Sequence, residues 1–553
     1  MAEFSQKNSP LQIFTPLEEN TLLATSLRGS EEMGGTYAFR VNLIAKTGTS
    51  IDFSKLMGAE ARVRLSLPGG ATRTYSGIIA EFGQGDSDPV FDRYTMVLRP
   101  AIHQLTLIRR SRIFHQMSAA QIIDQVLEPL FAHSGWRARN FAVQTPPRVY
   151  CTQYRETDWD FLRRVCAESG ATWYWIHKPD GRTLKVTDNT SVGNPLLGSI
   201  LYAKSLGGTA NSTQIHGWEM RQFLCPTQVE VWDDHFQLAG QEIRVDAPVQ
   251  QEVRAGERHL KTATVFTGWQ QDELSSARFF DTIDPNGSEA PVALPAMFSA
   301  EPGQAEVGAR AVAGGMVRAT VTGNCCQMAP GHAFTLTGHP NQDGEWLVVG
   351  AEHKVEVEGR FWAGEPSNLK AEVRAECAPL SLRQGIWPIP PRPSVGGVLT
   401  GTVIGPKGQE LHVDKFGRVQ VRFPWDRDNP STSCWIRVAQ SWAGHGWGAC
   451  FWPRVGHEVV VAFENGDPDR PIIVGSVYNS ANMPPFPLPE NRYIAGWKSL
   501  TQEGDPSKNF HQILMSDEKG GEVIHIHAEK TLIAYQESRQ VTMRPNLDMS
   551  FQG

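Results

Sequence analysis

FGRVQVRFPWDRDNPSTSCWIRVAQSWAGHGWGACFWPRVGHEVVVAFENGDPDRPIIVGSVYN, residues 416–479, is built of short alternating apolar and polar runs separated by glycine, proline and aspartate. A period of two means half-buried strands, and Gly466-Asp467-Pro468-Asp469 supplies a turn with Arg470 tying it. With the flanking residues, LTGTVIG, ELHVDKFGRVQVRF, SCWIRVAQ, EVVVAFE and PIIVGSVYN give five strands within residues 398–480. Five short strands with glycine turns over about 80 residues suit a small closed barrel of the OB type. Trp435, Trp442, Trp447 and Trp452 fall here. Glycines 444, 446 and 448 make a tight loop expected to tuck the rings inward, so core and inter-chain packing is preferred over a base- or sugar-stacking platform.

Two proline runs frame this segment. WPIPPRPSVGG (387–397) reads as a semi-rigid joint and MPPFPLP (483–489) as a closing linker. Upstream, residues 1–386 are strand-rich. Tyr37, Phe39, Val41 and Leu43 alternate with polar or small residues, as do Ala61, Val63, Leu65 and Leu67 with Arg62, Arg64 and Ser66. From about Gly217 to Glu376, VEVWDDHF, VRATVTG, HAFTLTG and EWLVVGAEHKVEVEG mark a second barrel-like body. Between the two, residues 118–189 read as an α+β layer. Ser118 caps a helix that puts Ile122, Ile123, Val126, Leu127 and Leu130 on one face. Thr157 and Asp160 form a capping pair before Phe161, Leu162 and Val165, Gly170 stops that helix, and TWYWIHKPDGRTLKV follows as a hairpin.

The chain's 553 residues require several domains, and its net charge of -7 with interspersed acids such as Asp414, Asp426 and Asp428 leaves no basic patch for nucleic acid. MAEFSQKNSPLQIF has neither a basic nor an apolar leader region, so the chain is expected to stay in the cytoplasm unless a dedicated machine exports it. The eight cysteines show no CxxC pair and read as reduced thiols, the vicinal Cys325-Cys326 included. His525-x-His527 lacks an obvious third metal ligand, and His412, His445 and His457 belong to no HExxH pattern. The interval from Asn479 to Asp517, under 40 residues and proline-rich, cannot hold a glycosidase domain, and GGATRTYSG opens no helix and so is no phosphate loop. No catalytic constellation, cofactor site or metal site is expected; a secreted hydrolase with an OB accessory domain would need one.

Residues 416–479 closely resemble the spike-domain signature of the VgrG family of the type VI secretion system. YRETDWDFLRRVCAESGATWYWIHKPDGRTLKVTDN (154–189) resembles that family's hub helix-hairpin, and SDEKGGEVIHIHAEK (516–530) the start of its shaft. The resemblance runs in family order from about residue 11 to 540. It implies a mainly β homotrimer: two tail-hub-like barrel bodies per chain in a pseudo-sixfold ring, an OB-type neck and a three-chain β-helical needle. It also implies, as partners, a hexameric inner-tube ring of the Hcp type, a PAAR-type tip protein, effectors, baseplate components and, transiently, a target membrane, with secretion by the contractile machine. A phage or phage-like contractile particle is the alternative host of such a hub. After a linker at 481–515, the expected shaft occupies 516–553, with Ile524, Ile526, Ala528 and Ile533 on the trimer axis and His525 and His527 on the opposite face. A lone run of strands from Glu522 to Met543 would leave both edges bare, which three interwound chains would satisfy. Arg544-Pro545-Asn546 breaks the alternation, so regular pairing is expected to stop near Met543.

Overall fold

The computed structural model describes residues 4–67, 70–134, 138–140, 147–178, 181–191, 194–204, 213–233, 236, 243–261, 269–273, 303–358, 368–386, 390–427 and 433–533. The first body is built from β1 (Leu11–Phe14), β2 (Leu23–Glu32), β3 (Tyr37–Lys46), β4 (Glu60–Ser66), β5 (Thr72–Ser87) and β6 (Phe91–Arg99). Tyr37, Phe39, Val41 and Leu43 are all buried, so the period-two pattern places them on the inner face as expected. These strands pair antiparallel in the order β2-β3-β6-β5-β4-β1, and β1 returns beside β2.

The α+β layer follows. It contains β7 (Arg109–Met117), α1 (Ala119–Ser134), β8 (Arg148–Thr157), α2 (Asp158–Glu168), β9 (Thr172–Lys178) and β10 (Gly181–Thr187). Both helix starts are where the capping pattern puts them. Ser118 Oγ accepts from the Gln121 N–H at 3.3 Å and Thr157 Oγ1 accepts from the Asp160 N–H at 3.0 Å. Gly170 adopts a positive φ of 69° just beyond α2.

The second body comprises β11 (Leu196–Tyr202), β12 (Gln214–Gln222), β13 (Val317–Gly323), β14 (Ala333–Thr337), β15 (Gly344–Glu358) and β16 (Asn368–Pro379). Its strands follow the order β11-β12-β13-β16-β15-β14 and close into a six-stranded barrel. Numbered within each body, both circuits read first, second, third, sixth, fifth, fourth. The polarity differs at one strand: β11 runs parallel to both its neighbours, whereas β1 is antiparallel to β4. The bodies share a sheet because β15, 15 residues long, outruns β14 and pairs its Gly350–Glu356 stretch with β2. The strand read as VEVWDDHF lies outside this barrel, since Gln228–Asp233 pairs with Ile243–Pro248 and Trp269–Glu273 in a separate sheet beside α3 (Gln304–Gly314).

At the seam of the two bodies sits a buried charge. Glu31 of β2 accepts from Arg73 of β5 at 2.6 Å and lies 3.0 Å from His353 Nε2 of β15 and 3.5 Å from His177 Nε2 of β9. Burial opposes its ionisation, but Arg73 and the two imidazoles hold Glu31 well below the usual carboxylate range.

The OB-type barrel contains β17 (Leu399–Ile404), β18 (Gln420–Arg422), β19 (Arg437–Val438), β20 (Glu458–Phe463) and β21 (Pro471–Val477), ordered β18-β17-β20-β21-β19. A bridge between Val419 and Ile436 closes it. The second strand is shorter than ELHVDKFGRVQVRF suggests. The Asp414 carboxylate accepts the N–H groups of Phe416 and Arg418 at 3.0 and 2.8 Å, a turn that interrupts the run.

The C-terminal expectation needs correction. The 481–515 interval is not a plain linker: it holds β22 (Ile494–Lys498) and most of β23 (Gln512–Ser516). β24 (Val523–His527) pairs antiparallel with β23, and β23 with β22, so the first shaft strand does have a partner within its own chain. Residues 534–553, with Met543 and Pro545, lie outside the described residues.

Candidate functional site: a buried joint and a bare apolar flank

The β7–β8 ribbon has two faces, as alternation demands. Phe114 and Cys151 join the core of the first body, where Phe114 stacks on Phe161 of α2 at 5.2 Å. Ile113, Tyr150 and Tyr154 point the other way and belong to the core of the OB-type barrel. The barrel thus does not hang from residues 387–397 alone; it shares a hydrophobic core with the hub layer. Tyr154 meets Trp425 edge to face at 5.6 Å.

Charges lock this contact. The Thr152 N–H donates to Asp469 Oδ1 at 2.6 Å, reaching from the ribbon to the 466–469 turn. Arg392, on the proline-rich segment, donates to Glu168 at the end of α2 (3.1 Å) and to Asp467 of that turn (2.8 Å). Glu168 also accepts from Arg148 at 2.8 Å, and Arg164 contacts Glu156 at 2.6 Å and Glu168 at 3.4 Å. Burial alone would disfavour the charge on Arg164, but Glu168 and Glu156 more than offset that and raise its pKa. For Glu156 burial wins over Arg164, leaving its carboxyl above its ordinary value. The Val395 N–H donates to the Gly466 carbonyl at 2.8 Å, completing the strap. Sequence reading found the turn but missed that its two aspartates reach another domain, because Gly-Asp-Pro-Asp satisfies local turn chemistry whether exposed or buried.

The four tryptophans separate into two pairs. Trp435 and Trp452 are half-buried on the barrel, Trp435 tilted on His412 and Trp452 lying over Gly417, where a Cβ would come within 2.4 Å of the ring. Trp442 and Trp447 are 64% and 57% exposed. The expectation that the glycine loop tucks them inward fails within one chain. The loop is a small hairpin in which Ala443–Gly444 pairs with Trp447–Gly448, and the two rings meet each other at 5.0 Å. Gly444 is needed because a Cβ there would sit 2.3 Å from the Trp447 ring.

The apolar surface continues down the C-terminal sheet. Register puts Ala495, Trp497, Ile513, Met515, Ile524 and Ile526 on one face. Ile524 and Ile526, the residues assigned to the axis, are 72% and 56% exposed in one chain. Trp497 stacks with the exposed Phe451 at 6.5 Å, joining the flank to the barrel. Ala528 is half-buried just past β24, and Ile533 is exposed beyond the last strand. His525 lies on the opposite face with His527, whose Nδ1 is 3.1 Å from the Phe510 carbonyl. Among the described residues no group of three metal-ligating side chains converges, and no helix is long and apolar enough to cross a membrane.

Two family models match the chain. The phage tail baseplate hub family covers residues 30–359, and the type VI secretion system/phage-baseplate injector OB domain covers residues 401–478. The type VI secretion system spike protein VgrG1a of Pseudomonas aeruginosa is 34% identical over 529 residues, 94% of this chain and 77% of that protein. A Vibrio cholerae protein named as the actin cross-linking toxin VgrG1 is 29% identical, but this chain spans only 46% of it. Among solved structures, an E. coli component of the type VI secretion system, described as similar to the T4 bacteriophage tail proteins gp27 and gp5, has a TM-score of 0.58 at 16% identity. That match covers 84% of this chain and 100% of the solved one.

Proposed function

The chain belongs to the VgrG family of type VI secretion spike proteins, and on that premise we propose that three copies form a rigid hub and spike. The trimer would seat on a hexameric inner-tube ring and be driven through a target membrane by sheath contraction. The observation that carries the reading is the bare apolar face of β22–β24. A three-stranded sheet with one apolar face in water is marginal, and three such faces turned inward would cover one another and place Ile524, Ile526 and Ala528 on the axis. Trp442 and Trp447 would pack against a neighbouring copy.

The joint supports the mechanical part. Thrust delivered to the hub reaches the spike only if the connection does not bend, and a shared core with buried ion pairs resists bending where a proline linker alone would not. Two bodies of like strand order per chain give six related modules per trimer, which suits a six-membered ring. A PAAR-type tip, effectors and baseplate components are the partners that family membership implies. The outer edge of β24, with no partner strand among the described residues, offers a neighbouring chain further pairing. Energy comes from the sheath, so no turnover is expected of this chain. The toxin relative's named activity is not carried over, because most of that protein lies beyond the match. Light scattering on the purified protein tests the reading: a trimer mass is expected, and a folded monomer at micromolar concentration refutes it.

A further inference from the structure

Just past the strand Gln228–Asp233, Phe236 reaches from the second body to the OB-type barrel. The strand itself is anchored in that body, since Val229 and Val231 share a buried core with Val317 and Val321. The Phe236 ring meets Phe416 edge to face at 5.3 Å, and two barrel guanidiniums lie over it, Arg437 at 5.0 Å and Arg418 at 5.3 Å. The joint described above ties the barrel to the α+β layer and the first body; this contact ties it to the second.

Arg418 gives the physical reason for an aromatic ring at this place. Arg418 is buried, and its Nε donates to Asp414 Oδ2 at 2.6 Å, but its Nη2 is buried with no hydrogen-bond acceptor among the described residues. Such a nitrogen is costly, and the negative ring faces of Phe236 and of Phe416, the latter 5.4 Å away, answer its charge instead. Asp414 is also the carboxylate that accepts the Phe416 and Arg418 N–H groups. The ring therefore holds the guanidinium, the guanidinium holds Asp414, and Asp414 holds the turn that precedes β18. Arg437 of β19 pairs with Glu464 and stays partly exposed.

We propose that Phe236 is a second tie between hub and spike, an aromatic peg held by two barrel guanidiniums. Attachments from two different bodies resist a rotation of the barrel that one attachment would permit. That mechanical meaning rests on the hub-and-spike reading, but the contact lies within one chain, so its test does not depend on the trimer mass.

Hydrogen exchange resolved to single amides, on the purified full chain, tests the proposal. In Phe236→Ala the Phe416 and Arg418 amides are expected to exchange about tenfold faster, equivalent to roughly 1.4 kcal/mol and within what two partly exposed cation–π contacts supply. Phe236→Tyr should keep the protection, whereas Phe236→Leu, apolar but without a negative face, should lose most of it. Arg437→Met approaches from the barrel side, leaves the hub untouched and should accelerate the same amides about threefold. The Thr152 amide, bonded to Asp469 at the joint, should be unchanged in every variant, as should the amides of Gln228–Asp233. Unchanged exchange at Phe416 and Arg418 in Phe236→Ala and Arg437→Met overturns the proposal, and so does full protection by leucine. Equal acceleration at Thr152 also overturns it, because the substitution would then loosen the whole barrel and not a separate tie.

Discussion

Removing Arg392 isolates the contribution of the joint. Its guanidinium, 15% exposed, is the cation between Glu168 and Asp467. In Arg392→Leu, Glu168 keeps Arg148 and Arg164, but Asp467 keeps from this set only the Asp469 N–H at 2.9 Å. A buried carboxylate stripped of its cation costs about 3–5 kcal/mol. If the OB-type barrel melts as a unit of about 80 residues, where 1 kcal/mol moves the midpoint about 4–8 °C, its transition should fall by at least about 12 °C. Calorimetry resolves that transition, and limited proteolysis around residues 387–397 should accelerate in parallel. Asp467→Leu in the same background should cost less than the two single changes summed, by about 2 kcal/mol, since it removes the stranded charge. A single variant melting within about 2 °C of the parent would refute the claim that this network couples hub and barrel.

Ile524→Asp with Ile526→Asp should convert the assembly to monomers by light scattering while leaving hub and barrel folded by circular dichroism; retained trimers would exclude this face from the interface. Gly331→Ala places a Cβ 2.1 Å from the Tyr174 ring at a φ of 79°, so strain and overpacking together should cost about 3 kcal/mol or more in denaturant melts. The hub should also be acid-labile. Burial lowers His177 and His353, and takes His332 from 6.5 to about 4, so the unfolded chain binds more protons just below pH 6.5. The histidine contribution is fully present above that pH and is lost as pH falls through the folded values, about 3 kcal/mol for His332 alone. Glu31, held low, adds in the same direction at lower pH. Melting temperature should fall steadily from pH 7 to pH 4, and less steeply in His332→Gln.

What the sequence determined by itself was whatever short-range rules fix. Ser118 and Thr157 cap their helices with their own neighbours' N–H groups, and the alternation at Tyr37–Leu43 needs only one wet and one dry face. The long spike signature identified the family for the same reason: its turns and strands are spaced by local chemistry. Tertiary structure decided what depends on partners far along the chain. β11, LLGSILY, has mostly exposed or half-exposed residues without regular alternation, so nothing marks it as a strand until β14 and β12 flank it in parallel. β22 and β23 are five residues each, short enough to vanish in a stretch with proline at its start, and they deny β24 the isolation its sequence suggested. Trp442 and Trp447 turn outward because their small hairpin can bury one ring only against the other. Asp467 and Asp469 look like ordinary turn residues until Arg392 and the Thr152 N–H arrive from more than 70 and 300 residues away, and a contact over such separations leaves no periodic trace in the chain.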